Sequence, residues 1–373
     1  MKIGFDAKRL FNNFTGLGNY SRFVVDALAN HFPEHAYTLY TPRLRHHQET
    51  IPYQQGNFIV RTPESVLAKK FASVWRSYAL GNVAAQDGVQ IFHGLSNELP
   101  VTKPASLKTV VTVHDLIFKR FPQYYKAFDV QIYTWKLKKA CASADVVIAV
   151  SQQTSNDLQE FMQVPASKIQ VVYQGCHPNF KTLVSEAQKQ EVRKKYNLPH
   201  EYLLCVGTLE RRKNALTLVK AISKLNDSPP LVLVGKATAY TKEITAFVEA
   251  NKLQQRVMIL QHVSFVDLPA VYQMAHVFVY PSLFEGFGIP IVEAIVSGVP
   301  VITSTGSCFM EAGGSGARYV NPKNEEELRM QIKAVSLDTD LRNKMITTSQ
   351  AYVKQFEPPV IAQNLMQVYQ SLR

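Results

Sequence analysis

The chain has 373 residues, 46% hydrophobic and 19% charged, a balance typical of soluble globular proteins. This composition excludes a largely disordered chain and a small scaffold that depends on disulfides, and the length predicts two or three domains. Lysine and arginine number 41 against 29 aspartates and glutamates, so the formal net charge is +12. Such a charge attracts nucleic acids, anionic membranes or phosphorylated small molecules, and charge alone does not choose among them.

The cysteine pattern and the N-terminus favour a cytoplasmic protein. The four cysteines form no C-x-x-C pair, and none lies at a zinc-site spacing from a histidine, so we expect buried, reduced thiols. Asp6 and Lys8 stand where a signal peptide needs an apolar run. The longest apolar runs are no longer than a strand, so we expect no spanning helix, and peripheral membrane attachment stays open.

Short apolar runs alternate with longer mixed segments along the chain, beginning at the N-terminus. In chain order the predicted strands are Lys2–Phe5, Tyr37–Tyr40, Phe58–Val60, Thr109–Val113, Val146–Val150, Ile169–Val172, Tyr202–Val206, Leu231–Val234, Val257–Leu260, Val277–Tyr280 and Val299–Thr303. They are rich in Val, Ile and Tyr with little polar alternation, which is typical of parallel strands covered on both faces. The predicted helices are Tyr20–Ala29, Phe128–Ala142, Glu186–Lys195, Ala215–Lys224, Ala239–Ala250, Asp267–Met274 and Pro359–Leu372.

This alternation predicts an α/β fold of two doubly wound parallel sheets. The pattern breaks at Gln174–Glu201, where two prolines flank a polar helix. We therefore predict an N-terminal, acceptor-side domain over 1–180 and a C-terminal donor domain over 198–355, with the last helix, 358–373, docking back on the first. Two such halves imply a cleft at which the carboxyl ends of the strands face each other and ligands bind.

The densest motif runs from Tyr280 to Ser304 and is typical of strand, glycine loop, helix, turn and strand. Gly288 permits a close backbone approach, and Pro290 suits the first helical turn. The amide groups of Gly288 and Ile289 would then point at an anion, assisted by the helix dipole. The motif therefore predicts a phosphate site.

Two carboxylates border this phosphate site. Glu285 lies before the helix and Glu293 within its first turns. Carboxylates repel phosphate, so we expect them to accept hydrogen bonds from neutral hydroxyl groups. A ligand with phosphate at its centre and hydroxyls on both sides fits, and a nucleotide sugar has that form.

Here the sequence resembles the retaining glycosyltransferases of family 4, also called group 1. The E-x7-E spacing of Glu285 and Glu293 carries the resemblance together with three flanking segments: Pro281-Ser282, Glu285-Gly286-Phe287-Gly288 and Gly298-Val299-Pro300-Val301. The resemblance implies a GT-B fold, with two Rossmann-like domains facing across a cleft. It further implies transfer of a hexosyl unit with retention, and it is greatest for bacterial mannosyltransferases of surface-polysaccharide assembly.

A second motif supports the resemblance at the end of the strand Tyr202–Val206. In Gly207-Thr208-Leu209-Glu210-Arg211-Arg212-Lys213-Asn214, Arg212 and Lys213 resemble the pair that grips the donor diphosphate in the family. Both cations favour the negative charge that builds on the leaving phosphate. We therefore predict donor contacts from Thr208, Arg212, Lys213, Phe287, Gly288, Ile289 and Glu293, and catalytic roles for Arg212, Lys213 and Glu285.

The N-terminal half supplies the opposite wall of the predicted cleft. Gly16 and Gly18, in a segment between the first strand and a helix, resemble the first glycine loop of the family and are predicted to contact the donor phosphate. The third glycine of a dinucleotide fingerprint is replaced by Ser21. The resemblance assigns His114 a catalytic contact with the transferred sugar. On the acceptor side we predict Asn19, Tyr20, His93, Asn97 and Asp115.

We predict no metal and no cofactor apart from the sugar donor. The single D-x-D, Asp338-Thr339-Asp340, opens a helical segment, so a helix cap explains it. GDP-mannose is the favoured donor, followed by UDP-glucose or a UDP-N-acetylhexosamine, and the acceptor is a glycan or lipid-linked glycan. A nucleotide-sugar epimerase of the same fold and a non-catalytic nucleotide-sugar-binding protein are the alternatives. A nucleic-acid partner is not expected, because neither an aromatic ladder nor a recognition helix is present.

Both tryptophans lie among basic residues of the N-terminal half, in Lys69–Tyr78 and Tyr133–Lys139. Indole and tyrosine rings favour the lipid headgroup layer, and lysines favour anionic lipid. Trp75 and Trp135 therefore predict peripheral contact with an anionic membrane, at the cytoplasmic face of the inner membrane. The alternative is that the aromatic side chains pack inward and the lysines form a solvated face.

Overall fold

The computed structural model describes residues 1–45, 47–55 and 58–373. The chain divides into two compact units, which we call unit 1 and unit 2. Unit 1 contains Met1–Gly175 and Phe356–Arg373, and unit 2 contains Cys176–Gln355. The last helix of the chain therefore belongs to the same unit as the first strand.

Within the described residues, unit 1 is built on a seven-stranded parallel sheet with the order β3-β2-β1-β4-β5-β6-β7. Its strands are β1 (Lys2–Asp6), β2 (Ala36–Tyr40), β3 (Ile59–Arg61), β4 (Ile91–Gly94), β5 (Lys108–Val113), β6 (Val146–Ala149) and β7 (Ile169–Val171). The register pairs Ile3 with Tyr37 on one side and with Ile91 on the other.

Unit 2, described throughout, contains a six-stranded parallel sheet with the order β10-β9-β8-β11-β12-β13. Its strands are β8 (Leu203–Val206), β9 (Leu231–Val234), β10 (Val257–Leu260), β11 (Val277–Tyr280), β12 (Val301–Ser304) and β13 (Arg318–Val320). All side chains of β9, β11 and β12 are buried, as expected of strands covered on both faces.

Helices connect the strands in both units. Those of unit 1 are α1 (Lys8–Asn12), α2 (Gly16–His31), α3 (Ile51–Gln55), α4 (Val66–Lys70), α5 (Ala72–Val74), α6 (Leu80–Gln86), α7 (Ile117–Arg120), α8 (Ala127–Ser143), α9 (Gln152–Met162) and α18 (Pro358–Gln370). Those of unit 2 are α10 (Glu186–Tyr196), α11 (Ala215–Ser223), α12 (Ala239–Ala250), α13 (Leu268–Gln273), α14 (Ile289–Val296), α15 (Phe309–Gly313), α16 (Glu325–Leu337) and α17 (Thr339–Tyr352). A π-helical turn, Trp75–Ala79, joins α5 to α6.

The C-terminal helix α18 is held by its apolar face. Ile361, Leu365 and Tyr369 are fully buried in the core that also contains α2. Their spacing of four residues puts them on one side of the helix, as the sequence predicts. Along the described ranges 1–45, 47–55 and 58–373, no helix is both long and apolar enough to cross a membrane.

The predicted α/β fold class is confirmed, and most predicted elements are present within one or two residues. Two differences are informative. The strand Arg318–Val320 was not predicted, because three residues carry too little pattern. The expectation that Gly16 and Gly18 lie in a loop before a helix starting at Tyr20 was wrong, because α2 begins at Gly16 and includes Gly18, Asn19 and Tyr20.

Each sheet has a point at which the strand order reverses. In unit 1 this switch point lies between β1 and β4, and in unit 2 it lies between β8 and β11. Connections leave such neighbouring strands in opposite directions, so a crevice opens at their carboxyl ends, and ligands of doubly wound folds bind there. A ligand site is therefore expected in the segments that follow these four strands.

Candidate functional site

The switch point of unit 2 brings both sequence motifs together. Arg212 and Lys213 follow β8 in a single 3₁₀ turn, Arg211–Lys213, and Glu285 follows β11. The backbone amide of Leu283 donates to the carbonyl of Arg212 at 2.8 Å, which ties the two segments to each other. Residues more than 70 positions apart in the sequence thus form one cluster.

The carboxylate of Glu285 is the centre of this cluster. Its Oε1 atom lies 2.7 Å from Nη1 of Arg212 and 2.6 Å from Nζ of Lys213. The same oxygen accepts hydrogen bonds from the Tyr280 hydroxyl at 3.0 Å and the Ser282 hydroxyl at 2.7 Å. Because Glu285 is buried, these charge-assisted contacts hold it in one geometry.

The electrostatics keep Glu285 ionised. Burial alone would raise the pKa of the carboxyl, but the nearby charges of Lys213 and Arg212 outweigh burial and lower the pKa to about 2. Burial likewise disfavours the charged form of Arg212, yet Glu285 and Glu210 raise the pKa of its guanidinium. Glu285 and Arg212 are therefore both charged at neutral pH.

Further contacts orient the two cations. Arg212 donates from Nη1 to the carbonyl oxygen of Phe284 at 2.5 Å and from Nη2 to Glu210 at 2.6 Å. Lys213 donates to the Tyr280 hydroxyl, and its Nζ lies 5.0 Å from the centre of that ring. Arg212 and Lys213 expose only 13% and 15% of their side chains, whereas Arg211 exposes 61%. The sequence run of three basic residues thus contains two site residues and one surface residue.

The predicted phosphate motif follows β11 directly. Gly288 has φ +97°, a conformation that favours glycine, and it precedes the eight-residue helix α14 with a proline in the first turn. Phe287 is buried, Ile289 is half-buried, and Thr208 is exposed at the end of β8. The amides of the first turn of α14 and the two cations belong to the same switch point, so this edge of the sheet is suited to an anion.

Glu293 lies on α14 in a different environment from Glu285. It is buried, and its Oε2 atom accepts a hydrogen bond from the Tyr272 hydroxyl at 2.8 Å. Burial raises the pKa of Glu293 to about 7, and the bond from Tyr272 opposes this only in part. The carboxyl is consequently close to half protonated at neutral pH, unlike that of Glu285.

The loop after β12 supports Glu285 from its backbone side. The Ser307 hydroxyl donates to the carbonyl oxygen of Glu285 at 3.0 Å and accepts from its amide at 3.2 Å. The thiol of Cys308 also contacts that carbonyl oxygen, at 3.2 Å. The loop after β12 therefore fixes the position of the central carboxylate.

Sequence reasoning missed several supporting residues. Tyr280 and Ser282 were inside the quoted motif but were given no role, although strand-end position was a usable signal. Tyr272 gave no signal, since its hydroxyl reaches Glu293 from helix α13, 21 residues earlier in the chain. Such contacts between elements depend on packing and leave no spacing pattern.

In unit 1, Gly16 and Gly18 occupy the first turn of α2. Gly16 is exposed. A Cβ at Gly18 would lie 1.7 Å from the backbone carbonyl oxygen of Asn13, so only glycine fits there. Gly18 thus has a packing role, and a donor contact from either glycine stays a prediction.

His114 follows β5 and is held on both sides of its ring. Its Nε2 donates to the carbonyl oxygen of Leu95 at 2.9 Å, and its Nδ1 accepts from the Gln174 amide at 3.1 Å. The carbonyl accepts only, so these partners select the neutral tautomer with the proton on Nε2. Burial lowers the pKa of His114 to about 4, which agrees with a neutral ring. Its contact with a transferred sugar stays a prediction.

Two residues predicted on the acceptor side lie in the interior instead. His93 is fully buried, with Nδ1 2.7 Å from the Tyr369 hydroxyl and Nε2 2.8 Å from the Thr112 hydroxyl. The Tyr20 hydroxyl lies 3.1 Å from that of Thr112, and its ring packs edge-on against His114. His93 and Tyr20 therefore support His114 and β5 through a buried hydrogen-bond network.

The other three acceptor-side predictions have local contacts in unit 1. Asn97, at φ +58°, accepts from the backbone amide of His114 at 3.0 Å. Asp115 accepts from the amide of Ile117 at 3.1 Å, and Asn19 accepts from Arg22 at 2.5 Å. Their roles toward an acceptor stay predictions.

Asp338 has the role predicted for it as a helix cap. It precedes α17 and accepts from the backbone amide of Leu341 at 2.9 Å.

The cysteines are all free thiols; Cys141, Cys205 and Cys308 are buried as expected, but Cys176 is only partly buried.

Two units, each built on a doubly wound parallel sheet, agree with the GT-B fold. Family comparison assigns the same class: the Glycosyltransferase Family 4 model matches residues 14–180, and the Glycosyl transferases group 1 model matches residues 187–352. The chain therefore belongs to the group 1 and family 4 glycosyltransferases of the GT-B fold.

Among curated relatives, the chain is similar to O-antigen chain mannosyltransferase B of Escherichia coli. The two are 27% identical over 95% of this chain and 96% of the relative. The chain is also 31% identical to O-antigen chain mannosyltransferase RfbU of Salmonella typhimurium, over 63% of this chain and 62% of that protein.

Solved structures share the fold along the whole chain. The crystal structure of Anabaena HepE in complex with UDP superposes with a TM-score of 0.76 at 18% identity and covers 100% of both chains. At that identity the likeness establishes the GT-B fold alone.

Proposed function

We propose that this glycosyltransferase moves a hexosyl unit from a nucleotide sugar to a saccharide or lipid-linked saccharide acceptor, with retention, in cell-surface polysaccharide biosynthesis. The observation that carries the proposal is the buried cluster of Arg212, Lys213 and Glu285 at the switch point of unit 2. Two cations meet one buried carboxylate there, since the second carboxylate on Arg212, that of Glu210, is 40% exposed to solvent. The buried part of the cluster therefore carries an excess of positive charge where a donor diphosphate would lie. The names of the E. coli and Salmonella relatives support the polysaccharide role.

In the proposed reaction, the bond between the anomeric carbon and the leaving phosphate oxygen breaks, and a bond to the acceptor oxygen forms. The acceptor proton goes to the leaving phosphate. Arg212 and Lys213 stabilise the charge that develops on that phosphate, as oriented cations do most effectively in a partly dehydrated site. Arg212 and Lys213 would then stabilise the leaving phosphate as a divalent metal does in other transferases. We therefore propose that transfer requires no divalent metal.

We propose GDP-mannose as the donor, on the strength of relatives that are named mannosyltransferases. A UDP-sugar is the second candidate, because the structural neighbour from Anabaena was solved with UDP. A thermal-shift panel of GDP, UDP and their sugars separates the two, since the ligand that binds the native state more tightly raises the melting temperature further. We also propose that the enzyme works in the cytoplasm, in keeping with its free thiols.

The decisive test compares two adjacent arginines. Arg212→Ala removes a charge-assisted contact to the leaving phosphate, and such contacts contribute roughly 1.5–3 kcal/mol, or about ten- to a hundredfold in rate. Arg211→Ala is the matched control, because Arg211 lies on the surface with Glu243 as its partner. Transfer is measured with a radiolabelled donor and a glycan acceptor, and the product is analysed for linkage.

Equal rates for the Arg212→Ala and Arg211→Ala variants would refute the role of the cluster. Release of a changed free sugar or an epimerised donor, without any glycosylated acceptor, would instead assign the site to an epimerase. An excess of chelator should leave transfer unchanged. Loss of transfer that Mn²⁺ or Mg²⁺ restores would contradict the metal-independent mechanism.

A further inference from the structure

Unit 1 exposes large apolar side chains in two segments, Ser65–Tyr78 and Tyr124–Lys139, which we call the apolar-basic surface. In the first segment Val66 is 82% exposed and Leu67 70%, and three more large apolar side chains are more than half exposed. In the second, Phe128 is 70% exposed and Trp135 53%. Helices of soluble proteins usually turn such residues inward, so a concentration of them marks an interaction site.

The two segments meet beside Glu98 in unit 1. Glu98 accepts ion pairs from both, from Arg76 in the first and from Lys136 in the second, the latter at 3.5 Å. Tyr78 and Trp135 also line one cavity of about 570 Å³. Tyr78 and Trp135, one exposed side chain from each segment, therefore border a common opening.

Packing explains why these side chains point outward. Trp75, the expected membrane-facing residue of the first segment, is buried with Tyr40, Leu80 and Phe92, so that expectation was wrong. With Trp75 inserted in the core, the preceding short helix α4 turns only Ala68 toward it. In helix α8 the fully buried residues are Leu137, Ala140 and Cys141, all in its C-terminal half, whereas Val130 in the N-terminal half is only partly buried.

Basic side chains surround the exposed apolar ones. Six lysines and arginines and one aspartate lie from Lys119 to Lys139, and Lys69 and Lys70 end helix α4. Arg120 is already paired with Asp157 and Glu160, so the lysines supply the available charge. Lys139 Nζ lies 4.6 Å from the centre of the Trp135 ring, and Lys70 Nζ lies 6.0 Å from that of Phe71. Aromatic rings interleaved with lysines are suited to the headgroup layer of an anionic bilayer.

We propose that the apolar-basic surface docks unit 1 on an anionic phospholipid membrane. Val66, Leu67 and Phe128 enter the boundary between headgroups and acyl chains, and the lysines contact lipid phosphates. The cavity beside Trp135 then opens toward the membrane. This inference deepens the proposed function, because a docked enzyme would take a lipid-linked saccharide as its acceptor. That assignment of the acceptor rests on the proposed function, whereas the docking itself does not.

Two other partners fit the surface less well. In a symmetric dimer, the lysines of one copy would face those of the other, and like charges in such a contact repel. A nucleic acid would contact the lysines, but it offers nothing to cover Val66 and Leu67. An anionic bilayer satisfies both the charge and the apolar side chains.

The experiment is flotation of the purified protein with vesicles, in the absence of donor and acceptor. Vesicles of phosphatidylglycerol and phosphatidylcholine are compared with pure phosphatidylcholine at low and high salt. Lys69→Glu with Lys70→Glu should weaken binding to anionic vesicles by at least about tenfold, since each lysine near such a surface contributes about fivefold. Leu67→Ser with Phe128→Ser should weaken it by at least about tenfold as well.

Matched controls come from unit 2. Leu183 and Leu337 are 87% and 64% exposed, and Lys323 and Lys344 are exposed, so serine and glutamate replacements there alter similar surfaces outside the proposed one. These control variants should bind vesicles like the wild type. Light scattering without lipid reports the oligomeric state of every variant, and the thermal shift with GDP or UDP checks that each is folded.

The proposal is overturned if the wild type does not bind anionic vesicles at low salt, or if it binds neutral vesicles equally well. It is also overturned if the surface variants bind vesicles as well as the control variants do. A third contrary result is that the wild type is a dimer and the surface variants are monomers whose vesicle binding is unchanged. If the protein binds vesicles but has no transferase activity, the proposed function is refuted and the docking surface is retained. If it transfers the sugar but does not bind vesicles, the docking surface is refuted and the proposed function is retained.

Discussion

At the two switch points the central buried charge has opposite sign, and the outer partners, Glu210 on Arg212 in unit 2 and Lys136 on Glu98 in unit 1, are more exposed. In unit 2 a buried carboxylate, that of Glu285, lies between two cations. In unit 1 a buried cation, that of Arg76, lies between two carboxylates: its Nε donates to Asp6 at 2.7 Å, and Nη1 pairs with Glu98. Asp6 ends β1, and Glu98 follows β4, so these carboxylates belong to the two strands at which the sheet reverses.

The comparison teaches that the same scaffold can prepare its switch point for different ligands. Two buried cations around one carboxylate suit an anion such as a diphosphate, whereas two carboxylates around one buried cation suit neutral hydroxyl groups. Arg76 comes from the π-helical turn Trp75–Ala79, and Arg212 from the turn after β8. The strand ends alone therefore do not decide the charge, because the inserted turns supply part of it.

The largest effect on stability is expected from Arg76→Met in unit 1. The change leaves the carboxylates of Asp6 and Glu98 without their central partner, and loss of one member of a buried ion pair costs about 3–5 kcal/mol. Urea unfolding measures the loss. Calorimetry with GDP or UDP should show nucleotide affinity unchanged in the variant at temperatures where it is folded, since the donor cluster belongs to unit 2.

Lys136→Met is the control for this change. Lys136 is half exposed, and its Nζ lies 3.5 Å from Glu98, a longer and weaker contact than that of Arg76. Exposed pairs contribute about 0.2–1 kcal/mol. If both variants lost the same small amount, Arg76 would not be the structural centre of its cluster, and the comparison between the units would fail.

In unit 2 we expect Glu285→Gln to separate binding from transfer. The amide no longer neutralises Arg212 and Lys213, so affinity for a free nucleoside diphosphate should be kept or increase. Transfer should fall by about a hundredfold, or about 2.7 kcal/mol, because the cations lose the carboxylate that orients them. Binding is measured by calorimetry and transfer by product formation; a parallel loss of both would show that Glu285 acts on the nucleotide itself.

The third expectation concerns pH and Glu293, whose pKa of about 7 contrasts with that of about 2 for Glu285. If Glu293 accepts hydrogen bonds from donor ribose hydroxyls, the bound state requires the ionised carboxylate. Protonation then competes with binding, and affinity for the nucleotide should fall by about tenfold between pH 8 and pH 6. Glu285 stays ionised throughout this range and adds nothing to the dependence.

Glu293→Gln provides the control, because the ligand phosphate still titrates in this variant but the carboxyl group of residue 293 is gone. The variant should bind weakly with a flatter pH profile in calorimetry. An unchanged profile in Glu293→Gln would assign the pH dependence to the ligand alone and would remove Glu293 from the ribose site.

Local patterns in the sequence determined the fold class and the two motifs of the candidate donor site. Uniformly apolar runs separated by helices favour parallel sheets, because strands covered on both faces are typical of them. Arg212, Lys213, Glu285 and Glu293 could be selected because strand ends, glycines and fixed spacing are properties of neighbouring residues. Their assignment to one sheet followed from the same rules.

Only the tertiary structure decided which atoms meet. It paired Glu285 with both cations, whereas the sequence reasoning had reserved this carboxylate for hydroxyl groups, and it put Tyr272 on Glu293 from a distant helix. It also buried Trp75 and exposed Val66 and Leu67, against a pattern that favoured the tryptophan. The physical reason is that burial and pairing depend on packing between elements far apart in the chain, and that packing leaves no trace in local spacing.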